Sequence, residues 1–140
     1  MANGCKAQEA SYKSIEYVTA KDKESWLDLF SDDAVIQDPV GVSPLDPTGL
    51  GHRGKDAISK FWDMIIAPGN ASFTIQTSLC AGDECANVAE VINRMPGGVE
   101  IKVDMVVVYT ANDEGKFTSL KAYWEYEKVE KALEQALAQK

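Results

Sequence analysis

Asp38 stands in the run Ile36-Gln37-Asp38-Pro39-Val40-Gly41-Val42-Ser43-Pro44, a single carboxylate among apolar residues at the head of a proline-punctuated loop. Two uses of such a residue are open. An Asp before Pro often hydrogen-bonds its own backbone in an Asx turn. A carboxylate that is ionised near neutral pH yet meets its proton in a dry pocket is a general base, and apolar surroundings followed by a proline suit that role. Other chemistries lack their parts. The chain has no G-x-x-x-x-G-K-[ST] loop to cradle phosphate and no G-x-S-x-G elbow to present an acyl nucleophile. Its one histidine, His52, falls in a loop just before a helix, where a surface or capping role is expected. No spacing assembles a metal site, and no cofactor is expected. Three cysteines form no C-x-x-C pair. Cys80 and Cys85 flank a hairpin turn, and two small buried thiols are expected there rather than a bridge.

The elements that must position Asp38 read as helices first and a sheet afterwards. Residues Gln8 to Ala20 place Ser11, Ser14, Ile15 and Val18 at helical spacing, and Asp22 reads as the N-cap of a second helix carrying Trp26, Leu27 and Phe30. The two should form an antiparallel hairpin. A short strand at Val35 to Gln37 leads into the loop Asp38 to Gly54, which ends at a third helix with an apolar stripe of Ile58, Phe61, Trp62 and Ile65. Long ordered loops often line sites. Beyond Asn70 the period becomes two. Phe73, Ile75, Thr77 and Leu79 alternate with polar residues, three further strands follow, and turns are marked at 81–84, 96–98 and 112–115. An antiparallel meander is predicted. Glu125 to Lys140 reads as a charged amphipathic helix with Val129, Leu133 and Leu137 on one side, and Glu125, Glu127 and Glu130 as solvated charges.

The 140 residues, 45% of them hydrophobic, suit one domain spanning 1–140. A formal net charge of −8, with Arg53 and Arg94 the only arginines, excludes a phosphate-backbone partner, so no nucleic acid is expected. Neither an apolar signal segment nor a run of about 18 apolar residues is present, so a soluble cytoplasmic protein without a membrane partner is expected. Three helices closing one face of a curved sheet give an α+β roll, cone-shaped, with a C-terminal helix. Such a cone is a ready pocket for a hydrophobic small molecule.

Two blocks carry a family resemblance. The first is Asp32-Asp33-Ala34-Val35-Ile36-Gln37-Asp38-Pro39-Val40-Gly41, followed by Arg53-Gly54-Lys55-Asp56-Ala57-Ile58-Ser59-Lys60-Phe61-Trp62; the second is Gly115-Lys116-Phe117-Thr118-Ser119-Leu120-Lys121-Ala122-Tyr123-Trp124. The chain resembles the nuclear transport factor 2-like and SnoaL-like superfamily, and within it the ketosteroid isomerases, over roughly residues 10 to 126. Isomerases carry a D-D-A-T-V-E-D-P-x-G run, a G-x-x-x-I-x-x-F-Y run and a strand ending in A-Y-W. The resemblance implies a cone-shaped fold, a steroid-like ligand, a homodimer and a shift of a double bond for which Asp38 is the base. It places Trp62 and Trp124 on the pocket wall.

The donors for a developing oxyanion depart from the family pattern. The isomerases' oxyanion tyrosine falls on Ser14, which is too short to copy a phenol. Tyr17 is the candidate catalytic donor in its stead, although it lies about 60° round the helix and reaches the pocket only if the helix is rotated or shifted. The family's second donor, a protonated aspartate, falls on Val107, or on Met105 if the following hairpin is longer by two. Val99, Ile101, Val103, Met105, Val107 and Tyr109 share one face of that strand, so Asp104 substitutes only through a bulge. Ser14, Trp62, Met105, Val107 and Trp124 are therefore the expected substrate-binding residues. Val106 and Val108, on the otherwise polar face, suggest a patch where two subunits pair. Three alternatives stay open: a binder of hydrophobic molecules without catalysis, a SnoaL-like cyclase or an epoxide-hydrolase-like enzyme, and a protein-binding module. The epoxide hydrolases use an Asp-Arg-Asp set, for which only Arg94 is placed on a strand.

Overall fold

In the computed structural model, which describes residues 5–138, four helices pack on one six-stranded sheet. Helix α1 spans Lys6–Ala20 and α2 spans Lys23–Leu27; β1 spans Phe30–Gln37 and β2 His52–Arg53. Helix α3, Lys55–Phe61, runs on into a π-helical turn at Trp62–Ile66. Strands β3 (Ala71–Ala81), β4 (Glu84–Arg94), β5 (Glu100–Ala111) and β6 (Phe117–Tyr123) precede α4, Tyr126–Ala138. The sheet order is β2-β1-β6-β5-β4-β3. The meander from β3 to β6 is antiparallel as expected, while β1 lies parallel to β6 and makes the sheet mixed.

Several boundaries differ from the sequence reading. The second helix stops at Leu27 after five residues, and Phe30, expected on it, opens β1 instead. Its ring is 2% exposed between Trp26 and Phe117, with centroids 4.7 and 5.1 Å away, so tertiary packing outweighs helical spacing there. Strand β3 carries an irregularity between Ile75 and Thr77. Phe73 and Ile75 are half-buried, but beyond the extra residue Ser78 turns inward while Thr77 and Leu79 face solvent, contrary to the uninterrupted alternation. His52, read as a loop residue, sits on β2 opposite Ile36, with its ring 5.1 Å from Phe61. Of the apolar side of α4, Val129 and Leu133 pack on β5, whereas Leu137 is 54% exposed.

Cysteine pairing also differs. Cys80 is exposed and disulfide-bonded to Cys5, which ties the start of α1 to the end of β3, and Cys85 alone is a buried thiol. The inward turn of β3 joins the same region through a buried polar cluster. Gln8 Nε2 donates to Ser78 Oγ (2.8 Å), Ser78 Oγ to Asn87 Oδ1 (2.6 Å), and Asn87 Nδ2 to Ser11 Oγ (3.0 Å). The Cys85 thiol donates to Asn87 Oδ1 as well. Asn87 is completely buried, and both polar atoms of its amide have partners, as burial of an amide demands.

The loop from 38 to 51 is ordered by Asp46, whose carboxylate accepts from the Thr48 hydroxyl (2.7 Å) and the Gly51 N–H (2.8 Å). The Thr48 hydroxyl, ahead of the other donors, holds that carboxyl below its ordinary range. Gly51 is required there. Its φ is +89°, and a Cβ would come within 2.8 Å of the Ile36 carbonyl and of the Val35 and Gln37 side chains. No helix among the described residues is long and apolar enough to cross a membrane.

Candidate functional site

Helices α1 and α3 face the concave side of the sheet, and between them the cone is open. It holds two compartments, an outer one of about 270 Å³ and a deeper one of about 100 Å³. Asp38, Val18, Ile66, Phe73 and Met105 line both. The outer compartment is walled by Trp124, Val103, Val91 and Ile65, with Lys21, Asn70 and Asn93 contributing polar groups. The deeper one is closed by Ser14, Trp26, Phe61, Val107, Tyr109 and Ala122. Together they reach the lower end of the roughly 300–1,000 Å³ that ligand pockets span.

Asp38 is held where β1 leaves the sheet. Gln37 is still paired with Lys121, and the Val40 N–H donates to the Ala122 carbonyl at 2.9 Å, so the backbone is pinned on both sides of the aspartate. The Asp38-Pro39 peptide is cis. Trp124 Nε1 donates to Asp38 Oδ1 at 2.6 Å. Oδ2 has no hydrogen-bond partner among the described residues, and the carboxyl's residual accessibility is into the two compartments it lines. Burial raises the proton affinity of this carboxyl above the ordinary aspartate range; the Trp124 indole and the charge of His52 oppose it. No backbone N–H among the described residues donates to this carboxylate, so it forms no Asx turn; one oxygen is fixed and the other is open to the cone.

The mouth is shaped by the π-helical turn, which brings Ile65 and Ile66 to the cavity. Lys21, in the left-handed conformation at the end of α1, donates through Nζ to the carbonyls of Ile66, Ala67 and Gly69. A cation thus satisfies the carbonyls left over at the end of that helix.

The other residues singled out by sequence divide. Ser14, Met105, Val107 and Trp124 line the cone. Trp62 does not: it is 3% exposed, packed 5.1 Å from Trp26, and Phe61 takes the lining position because the cavity sees the neighbouring side of the helix. Tyr17 lines neither compartment. It sits in a polar groove with Lys13, Ser25 and Asp28, because Ser14, Ile15 and Val18 occupy the cavity side of α1. Asp104 is exposed on the other face of β5, and Arg94 pairs with Glu100 at 3.0 Å at the sheet's end. Tyr109 was missed. Its signal was available, since it continues the alternation of Met105 and Val107 by two residues.

The family model described as a SnoaL-like domain matches residues 12–120. The chain belongs to the SnoaL-like family. Solved structures agree with this SnoaL-like assignment. A protein of Mycobacterium tuberculosis in complex with estradiol-17beta-hemisuccinate is 34% identical, with a TM-score of 0.82 over 88% of this chain and 96% of that one. A Δ5-3-ketosteroid isomerase from Mycobacterium sp. is 32% identical, with a TM-score of 0.82 over 88% and 95%. A computationally designed 17-OHP binder is 34% identical, again with a TM-score of 0.82, over 88% and 94%. The SnoaL-like fold is thus shared with proteins solved as steroid binders and as a steroid isomerase.

Proposed function

We propose that this SnoaL-like protein binds a steroid or a similarly flat hydrophobic ketone in the cone and shifts a carbon–carbon double bond in it, with Asp38 as the general base. The observation that carries this reading is the desolvated carboxylate of Asp38, anchored by Trp124 through one oxygen and open to an apolar cavity through the other. The reaction is a proton transfer. Asp38 removes a proton from the carbon beside the carbonyl, the C–H electron pair becomes the new C=C, and the carbonyl π pair moves onto oxygen. Return of the proton two carbons further along restores the carbonyl and leaves a conjugated enone. Trp124 and Met105 contribute the wall against which a flat ring system stacks.

The test measures enone absorbance formed from a Δ5-3-ketosteroid by the wild type and by Asp38→Asn, alongside quenching of tryptophan fluorescence by a steroid phenol. Turnover that the Asn variant lacks is expected; turnover that survives it rejects Asp38 as the base. Binding without turnover favours the second reading, a hydrophobic-ligand carrier, which rests on the apolar side chains of Met105 and Val107. A homodimer completes the proposal. On the outer face Val88 lies opposite Val106, and Val106 opposite Tyr123, with Val106 37% and Tyr123 47% exposed. Sedimentation of the wild type as a monomer at micromolar concentration would reject it.

A further inference from the structure

The deeper compartment is almost wholly apolar, lined by residues such as Ile15, Ile36, Leu120 and Ala122. Three of its residues carry polar groups with hydrogen-bonding capacity left over, and their roles differ. Ionised Asp38 only accepts. Ser14 Oγ already accepts from Trp26 Nε1 at 3.1 Å and donates to nothing among the described residues, so its proton is free. The Tyr109 hydroxyl, on a residue only 6% exposed, makes no hydrogen bond among the described residues, and it is not sealed from the cavity either. Its ring is clamped against Phe117, with centroids 5.0 Å apart and planes at 28°, so the phenol is presented by a rigid strand and a fixed ring.

Resting on the proposed ketone reading, we infer that Tyr109, assisted by Ser14, holds the ligand's carbonyl oxygen at the closed end of the cone. Ser14 on α1 and Tyr109 on β5 line the same compartment. Helix and strand then supply two O–H donors to one oxygen while Asp38 faces the same compartment with a basic oxygen. An oxygen brought this deep without a donor would lose its hydration and gain nothing. The Tyr109 phenol stays protonated at any working pH, because burial first and the nearby charge of Asp38 second push its titration upward. It is therefore a donor throughout, never a competing base.

The experiment uses Tyr109→Phe, which keeps the ring and its stacking on Phe117, with testosterone and its 3-deoxy counterpart as probes. Hydrogen bonding to an enone carbonyl moves its absorbance to longer wavelength. Wild type and Asp38→Asn should show that shift on binding testosterone, and Tyr109→Phe should show it reduced. The preference for testosterone over the 3-deoxy steroid should fall roughly three- to tenfold, the worth of one neutral hydrogen bond. Turnover should fall about 100- to 1,000-fold. Ser14→Ala should reduce the same absorbance shift by a smaller amount. A full shift and an undiminished preference in Tyr109→Phe overturn the assignment and leave the cavity reading intact. Failure of the wild type to bind either steroid overturns that reading, and this assignment with it.

Discussion

Replacing Trp124 by Phe removes one hydrogen bond and little else from the site. The ring still walls the outer compartment, but the 2.6 Å donation to Asp38 Oδ1 is gone. A hydrogen bond to a charged acceptor is worth about 1.5–3 kcal/mol, so the Asp38 anion in the folded protein is expected to lose that much support. Its proton affinity, already raised by burial, should climb roughly tenfold or more. Folded Asp38 binds its proton more tightly than the unfolded chain does, so stability declines as pH rises from the unfolded aspartate's range through the folded pKa, and is level above it. In Trp124→Phe that decline should extend to higher pH. The variant's stability deficit should therefore be about 1.5–3 kcal/mol near neutral pH and smaller below about pH 4, where Asp38 is protonated in both states. Urea unfolding across that range measures it, and carbon NMR of the Asp38 carboxyl reads the titration directly. A deficit that is the same at acid and neutral pH would show that the indole only fills space, and the electrostatic account of this site would be wrong.

Asp38→Asn keeps an acceptor for Trp124 but removes a charge that burial disfavours, so it should stabilise the fold near neutral pH while lowering turnover at least 100-fold; calorimetry and the enone assay check both directions. In the wild type, kcat/KM should fall on the acid side at a pH above the ordinary aspartate range, because burial raises Asp38 and only its anion is active. Reduction of the Cys5–Cys80 bond, or Cys5→Ser, should cost about 2–4 kcal/mol of stability in urea without changing ligand affinity, since both cysteines lie away from the cone.

What was legible in the sequence follows from periodicity and local chemistry. The two-residue alternation of β5 gave the inner face correctly, because Val99 to Tyr109 contains no bulge. The same rule failed on β3, where one extra residue between Ile75 and Thr77 reverses the faces and leaves no mark in composition. Asp38 stood out because its apolar and proline neighbours are local. Trp62 did not resolve, since wall and core are equally apolar and only the packing on Trp26 separates them. Tyr109 escaped notice because an inward tyrosine on an apolar strand face reads as core until the cavity beneath it is seen. The Cys5–Cys80 bond joins residues 75 apart, beyond the reach of any local pattern.

The cluster around Asn87 has a consequence for the chemistry several residues away. A helix lying on a sheet is free to roll about its axis, and every roll offers the ligand a different set of groups. The 3.0 Å bond from Asn87 to Ser11 is a detent against that rolling, set one turn before Ser14. With Ser11 latched, Ser14 and Val18 meet the cone and Tyr17 is turned out towards its groove. An amide that lines neither compartment thereby chooses which side chains of α1 face the cone, and a designer wishing to swing Tyr17 inward would have to begin by unlatching Asn87.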